Sequence, residues 1–307
     1  MKLKKPKFWD NPKLSIWSIL FFPFSLIYFF LSYIKQLKRS KKFLVPVVCV
    51  GNIYLGGTGK TPLAKEIFKI TKSLGKNPAF VKKYYDYLQD EIEMLEEVGK
   101  TFAAKERADG IELLIKNNND IAILDDGFQD SSIRKSFSIL CFNQKQWIGN
   151  GFLIPSGPLR ERLSSIKKAD CIVINGDKDN IIENQINKIK QLKVFYTKYK
   201  PKNLEILKDK KIFAFAGIGN PLNFFELLKK NNLQLLNYQS FPDHYNYKKK
   251  DLDNLKSKAK ELNALLLTTE KDYCRINRDF RKGIEKLDVD LEIDSKEEFI
   301  NLIKKSI

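Results

Sequence analysis

The sequence predicts an α/β protein, and three features carry that reading. Short apolar, β-branched runs recur along the 307 residues and alternate with segments whose apolar residues fall at helical spacing. A glycine-rich stretch, Gly56-Gly57-Thr58-Gly59-Lys60-Thr61, stands where the first such run gives way to the first such helix. A mostly apolar segment without a charge, Leu14 to Ile34, precedes both.

That N-terminal segment has about the 20 residues needed to cross a bilayer. Trp17, Tyr28 and Tyr33 suit the membrane–water interface, and lysines flank the run on both sides: Lys2, Lys4, Lys5, Lys7 and Lys13 before it, Lys35, Lys38, Arg39, Lys41 and Lys42 after it. The balanced flanks leave its orientation undetermined. It is too long for a secretory signal, and no small-residue cleavage site follows. Pro23 would kink a spanning helix, so an interfacial helix and a buried core helix stand beside the spanning one. Residues 1–43 are therefore read as a membrane anchor with basic flanks.

Leu44 to Val50 reads as a buried strand, and Lys60 to about Leu74 as a helix with Leu63, Ala64, Ile67 and Ile70 on one face, closed by Gly75. Ala79–Val81, Phe102–Ala104, Ile121–Leu124, Ser138–Phe142 and Cys171–Ile174 are further strands, with helices near 89–98 and 105–117. Such alternation predicts a parallel sheet covered by helices on both faces. After a polar Lys/Asn-rich passage at 176–210, strands at Ile212–Ala216, Leu235–Tyr238, Ala264–Thr268 and Val289–Ile293 alternate with helices at 221–230, 248–261 and 296–305. The expected organisation is a first domain over 44–200 and a smaller α/β domain over 201–307.

The composition is that of a folded protein, 43% hydrophobic and 30% charged. Its formal net charge of +18 calls for an anionic partner. Much of the excess is Lys scattered among Ile and Asn, as in Ile186-Asn187-Lys188-Ile189-Lys190, which argues against nucleic acid. Cys49, Cys141, Cys171 and Cys274 show no metal-ligand spacing, and three lie in apolar strand-like runs. Neither a zinc site nor a disulfide framework is indicated.

A Gly-Lys-Thr sequence between a strand and a helix is the context of a phosphate-binding P-loop. Gly56, Gly57, Thr58 and Gly59 would turn backbone N–H groups toward phosphates at the positive end of the helix. Lys60 would reach the outer phosphates, and the Thr61 hydroxyl would face magnesium. The loop is a variant, because Tyr54 stands where the usual pattern has its first glycine. Asp125 and Asp126 end the strand Ile121–Leu124 at the sheet edge where ligands bind in open α/β folds, and at least one should hold the metal. The core is thus P-loop NTPase-like, with ATP and Mg2+ as expected cofactors.

Asp90 and Glu91 precede an apolar helical run, where acids serve either as helix-dipole partners or as functional groups. The single histidine, His244, lies in Phe241-Pro242-Asp243-His244-Tyr245 after a strand, placed either structurally or for proton transfer. Gly149 to Glu161 is the densest glycine and proline stretch, and such a loop commonly lines a site.

Taken together, VGNIYLGGTGKTP (50–62), LDDGFQ (124–129), GNGFLIPSGPLRE (149–161), FAGIGNP (215–221), FPDHY (241–245) and LLTTEKD (266–272) resemble the tetraacyldisaccharide 4'-kinase family of lipid A biosynthesis. The resemblance implies transfer of the ATP γ-phosphate to the 4'-hydroxyl of a tetraacylated glucosamine disaccharide 1-phosphate. It places the enzyme on the bacterial inner membrane with its site on the cytoplasmic face, with membrane lipid as a partner and no obligate protein partner. By the family's motifs, Asp90 would accept the hydroxyl proton with His244 as its dyad partner. Lys60 and Thr61 would hold phosphates and metal, and Asp125 and Asp126 would organise the metal. Glu91, Arg107, Gln129, Asn150, Arg160 and Glu161 would line the substrate site. Two departures stand out. Lys82-Lys83-Tyr84-Tyr85-Asp86 replaces the family's SRGYG-like segment, with a shortened hairpin after it, and Asp130 replaces its histidine after DDGFQ.

Two other readings fit the loop and the anchor: a membrane-bound P-loop ATPase acting on a partner, and a basic tethered module in which nucleotide only stabilises the fold. Asp90 and His244 discriminate, since a kinase needs a base near its acceptor and a binding module does not.

Overall fold

The computed structural model describes residues 5–11, 13–37 and 39–307. Lys2, Lys4 and Lys38 of the expected basic flanks lie outside them. The chain begins with helix α1 (Ile16–Gln36), strand β1 (Val47–Gly51), α2 (Lys60–Ser73), β2 (Pro78–Lys83), α3 (Gln89–Glu96), β3 (Thr101–Ala104), α4 (Arg107–Lys116) and β4 (Ile121–Asp125). It continues through β5 (Phe137–Asn143), β6 (Cys171–Asn175), α5 (Asn180–Asn187), β7 (Lys193–Pro201), α6 (Leu204–Leu207), β8 (Lys211–Ala216) and α7 (Pro221–Lys230). It ends with β9 (Gln234–Ser240), α8 (Lys249–Glu261), β10 (Leu265–Thr269), α9 (Glu270–Arg275), β11 (Glu285–Leu287), β12 (Val289–Ile293) and α10 (Lys296–Lys304).

Two compact units result, and neither is a single stretch of chain. The first comprises residues 1–84, 98–198 and 291–307; the second comprises 85–97 and 199–290. The sequence suggested one division near 200. Instead α3 packs on α9 in the second unit, and α10 packs on α2 in the first, where Lys296 Nζ lies 2.8 Å from Glu66 Oε1. Burial of each helix's apolar side decides its unit, as with Phe299 and Ile303 of α10.

The first unit is built on an eight-stranded sheet in the order β12-β7-β6-β5-β1-β4-β2-β3. β1 pairs in parallel with both β4 and β5, so that Val50 lies beside Asp125. The strands of the middle are buried on both faces, which is why they read as continuous apolar runs: every residue of β1, β4 and β5 is buried. From β1 the chain crosses over β4 to reach β2, and later returns to β5 on the other flank. The carboxyl end of β1 is therefore a topological switch point.

Helix α1 lies along the first unit. Ser18 accepts a hydrogen bond from Asn150 Nδ2 at 3.0 Å, Ser25 donates to the Leu153 carbonyl at 2.9 Å, and Tyr28 donates to the Arg160 carbonyl at 3.1 Å. Near its C-terminus Gln36 accepts from Lys168 at 2.6 Å, and the Lys35 carbonyl accepts from Ser131 at 3.1 Å. These contacts extend from residue 18 to residue 36, roughly 27 Å at 1.5 Å per residue. Away from this serine-bearing stripe the helix is bare: Ile16, Leu20, Phe30 and Ile34 are each at least 60% exposed. It is not a core helix.

The second unit carries a four-stranded parallel sheet, β11-β10-β8-β9. Phe224, Phe225 and Leu228 of α7 join one core cluster of this unit, and Leu252, Leu255 and Ala259 of α8 join another. β11 and α9 were not foreseen from the sequence. Burial pushes the Cys49 thiol up to about 11, and all four cysteines are buried free thiols, as their apolar settings suggested.

Candidate active site

The phosphate loop follows β1 because glycine permits what the backbone requires there. Gly59 caps α2 at φ 92° and Gly56 stands at φ 150°. Asn52, fully buried at the end of β1, ties the loop from beneath. Its Nδ2 donates to the carbonyls of Tyr54 (2.6 Å) and Gly56 (3.2 Å) and to Thr58 Oγ1 (3.0 Å). Gln129 Nε2 donates to the Asn52 carbonyl at 2.7 Å, so the 124–129 segment braces the same turn. Tyr54, in place of the usual glycine, is buried, and its hydroxyl bonds to Asp10 and Lys5. The position missing from the motif thus anchors the N-terminal segment.

Thr61 and Asp125 meet: Thr61 Oγ1 donates to Asp125 Oδ2 at 2.9 Å. The same oxygen accepts from Lys82 Nζ at 2.6 Å, and both Lys82 and Asp125 are buried. Asp125 Oδ1 is buried with no hydrogen-bond partner. A hydroxyl and one carboxylate are what magnesium commonly takes from a protein, with phosphates and waters supplying the rest, so the residues present fit that ion. Among the described residues no three His, Cys, Asp or Glu side chains cluster as a metal group.

Asp126 pairs with Arg160 instead. Its backbone is left-handed at φ 64°, and both carboxylate oxygens lie 3.1 Å from Arg160 Nη1. Burial alone would raise its carboxyl, but Lys60, Arg160 and Lys82 outweigh it and hold the group well below the usual range. Arg107 donates to the Asp126 carbonyl and to Asp130 Oδ2, the latter at 3.1 Å. Asp130, where a histidine was looked for, is thereby the ion-pair partner of Arg107.

The 149–161 loop divides its polar residues. Asn150 contacts Phe8, Ser18 and Ser156 through Nδ2, so it docks the N-terminal helix onto the loop. A side chain at Gly157 would run into Asn150 Oδ1 at 2.1 Å, which accounts for glycine there. Glu161 is buried, with Oε2 on Lys168 Nζ at 3.0 Å and Oε1 unpartnered.

The second unit holds Asp90, Glu91 and His244. Asp90 sits in the first turn of α3 and is buried. Arg275 of α9 meets both Asp90 and His244: Nε donates to Asp90 Oδ2 at 2.7 Å, and Nη2 lies 3.3 Å from His244 Nδ1. Burial, then Lys271, lowers the His244 imidazole below its ordinary range. Glu91 Oε1 pairs with Lys271 Nζ at 2.7 Å. Sequence reasoning missed Asn52, Lys82, Lys271 and Arg275. A charged side chain closing the apolar strand Ala79–Val81 was a signal for Lys82; nothing local marked Arg275.

A parallel sheet with a Gly-Lys-Thr loop after its switch-point strand, the threonine hydroxyl of that loop meeting a carboxylate at the end of the neighbouring strand β4, defines a P-loop nucleotide-binding protein. The model of the tetraacyldisaccharide-1-P 4'-kinase family matches residues 17–307. The chain is 40% identical over 309 residues to the tetraacyldisaccharide 4'-kinase of Pelagibacter ubique, covering 99% of this chain and 98% of that one. It is 38% identical to the enzyme of that name from Rickettsia typhi, covering 96% of each. A solved LpxK from Aquifex aeolicus, crystallised in complex with ATP, superposes with a TM-score of 0.71 at 22% identity, over 94% of this chain and 98% of that one. The chain belongs to the tetraacyldisaccharide-1-P 4'-kinase family, and is accordingly a phosphotransferase. The partner-driving ATPase and the non-enzymatic module are set aside.

Proposed function

We propose that the chain transfers the γ-phosphate of ATP to the 4'-hydroxyl of a tetraacylated glucosamine disaccharide 1-phosphate, with Asp90 as the proton acceptor. The observation that carries the assignment of Asp90 is its own geometry: a buried carboxylate with Oδ2 held by Arg275 and Oδ1 unpartnered. An orphaned buried acceptor is costly unless a ligand supplies its donor, and a sugar hydroxyl is such a donor. As the oxygen attacks phosphorus, its proton passes to that carboxylate while the bond to ADP breaks.

The remaining roles follow from chemistry. Backbone N–H groups from Gly56 to Gly59 and the Lys60 ammonium receive the nucleotide phosphates at the N-terminus of α2. Thr61 and Asp125 would hold Mg2+, which when bound neutralises charge on the phosphates. Asp126, locked to Arg160, serves this site by orienting that arginine, leaving Asp125 as the metal-facing acid. Arg107, Gln129, Arg160, Glu161 and Glu91 remain the substrate-side assignment. Asn150 also fastens the anchor.

The family relation and α1 together support action at the cytoplasmic face of the inner membrane. Polar contacts along its length favour a helix lying in the interface with its bare apolar side toward lipid, because a spanning helix would give them up. The positive surface suits both anionic lipid and a phosphorylated acceptor.

The test is to incubate the purified chain in detergent with γ-labelled ATP and the disaccharide 1-phosphate. Label should enter the lipid, and Asp90→Asn should abolish transfer while sparing ATP binding. Intact nucleotide binding without labelled lipid would overturn the proposal, and undiminished transfer by the variant would reassign the base.

A further inference from the structure

We propose that Arg275 is the positioning residue of the proton acceptor, fixing His244 as the neutral tautomer protonated on Nε2 and presenting Asp90 with Oδ1 as its open oxygen. This rests on the reading of Asp90 given above. A guanidinium has five N–H donors, no acceptor, and stays protonated in proteins. Where Arg275 Nη2 meets His244 Nδ1 at 3.3 Å, that nitrogen must therefore offer its lone pair. The proton of the neutral ring is left to Nε2, on the side toward Asp243 Oδ1 at 3.9 Å.

Arg275 is itself held from behind. Nη1 donates to the Gly217 carbonyl at 2.6 Å and to Asp272 Oδ1 at 3.1 Å. Asp272 is fully buried and also accepts from Tyr247 (3.0 Å), Thr269 (2.7 Å) and the Gly217 N–H (3.0 Å). The guanidinium plane is thus set by groups that the reaction does not use, and it transmits that order to Asp90 and His244 together. Arg275, Lys271, Asp243 and Asp90 are among the groups facing the ring, with Tyr87 edge-on at 6.5 Å. Burial and the two cations prevail over the two acids, which agrees with a neutral ring.

The consequence is a division of labour. With Nδ1 taken, the ring cannot relay a proton from Asp90, so Asp90 accepts and His244 donates. A donor at Nε2 suits a phosphate or sugar oxygen.

The chain has one histidine, so the imidazole 15N spectrum of histidine-labelled protein reports this ring alone. The wild-type chain should show the Nε2-protonated tautomer near neutral pH. Arg275→Lys keeps the charge, but one ammonium cannot span the four partners of the guanidinium. It should yield a mixed tautomer and lower kcat about 100-fold, the scale of an ångström-sized misplacement, with KM for both substrates little changed. An Nδ1-protonated ring in the wild type, or an Arg275→Lys chain with unaltered spectrum and kcat, would overturn the proposal. The wild-type spectrum decides the tautomer even if a variant fails to fold. It needs no turnover, so a chain that shows the Nε2 tautomer but transfers no phosphate would sink the kinase reading and leave the role of Arg275 toward His244 standing.

Discussion

Replacing Lys82 with Met removes one half of a buried ion pair while keeping most of the side-chain volume. Lys82 is 2% exposed, Asp125 is fully buried, and their contact is 2.6 Å, shared with Thr61 on the same oxygen. Asp125 Oδ1 has no partner to take up the slack. Leaving such a carboxylate uncompensated costs about 3–5 kcal/mol, and for a folding unit of this size each kcal/mol lowers Tm by about 2–4 °C. A drop of roughly 10 °C is expected by thermal melting in the absence of divalent ions. Because an added cation binds the folded variant's orphaned carboxylate, Mg2+ should restore more of the loss in Lys82→Met than it adds to the wild type. A melting point within a degree or two of wild type without metal, or equal Mg2+ increments in both proteins, would refute the view that Lys82 is the resident counter-charge of Asp125.

Asn52→Ala frees three contacts that brace the phosphate loop, and nucleotide affinity measured by titration calorimetry should fall about tenfold or more, at about 1–2 kcal/mol for the lost hydrogen bonds. Single cysteines at Ile16 and Ile34, both exposed while the native thiols are buried, should react with an impermeant reagent from the same side of a sealed vesicle; labelling of only one end would show a spanning helix. Glu93 is pulled below its ordinary value because Arg281 and Arg278 outweigh burial, so its contribution is complete above about pH 4.5 and is lost as pH falls through the folded value. Glu93→Gln should therefore cost about 1 kcal/mol at pH 7, by urea denaturation, and progressively less as the pH falls below about 4.5.

The strands of the first sheet were legible because parallel strands buried on both faces leave no choice but continuous β-branched runs, as in Val47–Gly51 and Ile121–Asp125. The Lys60 helix was legible from its apolar spacing and its glycine cap. β11 was hidden because three residues, Glu285–Leu287, carry no period, and α9 because Glu270–Arg275 is mostly polar and buries through a few positions. The site was readable where chemistry is local, as in Gly56–Thr61 and Asp125. It was not readable where partners are distant in sequence. Nothing near Asp90 announces Arg275, 185 residues later, and the Lys82–Asp125 pair joins two strands by tertiary register alone. Asp90 and His244, the pair implied by resemblance, both meet Arg275.

The interleaving of the two units constrains the order in which a working protein can appear on the ribosome. α3, with Asp90, emerges early, but the α9 surface on which it packs is translated nearly two hundred residues later. The helix that begins at the phosphate loop waits longer still, for α10 at the end of the chain. A nascent chain cannot finish the second unit before α9 and β11, or the first before α10, has been made, and no single cut separates the units as intact fragments. Each unit is thus closed by a segment made long after its first elements, so the parts that hold the phosphate loop and Asp90 reach their final packing only late in translation.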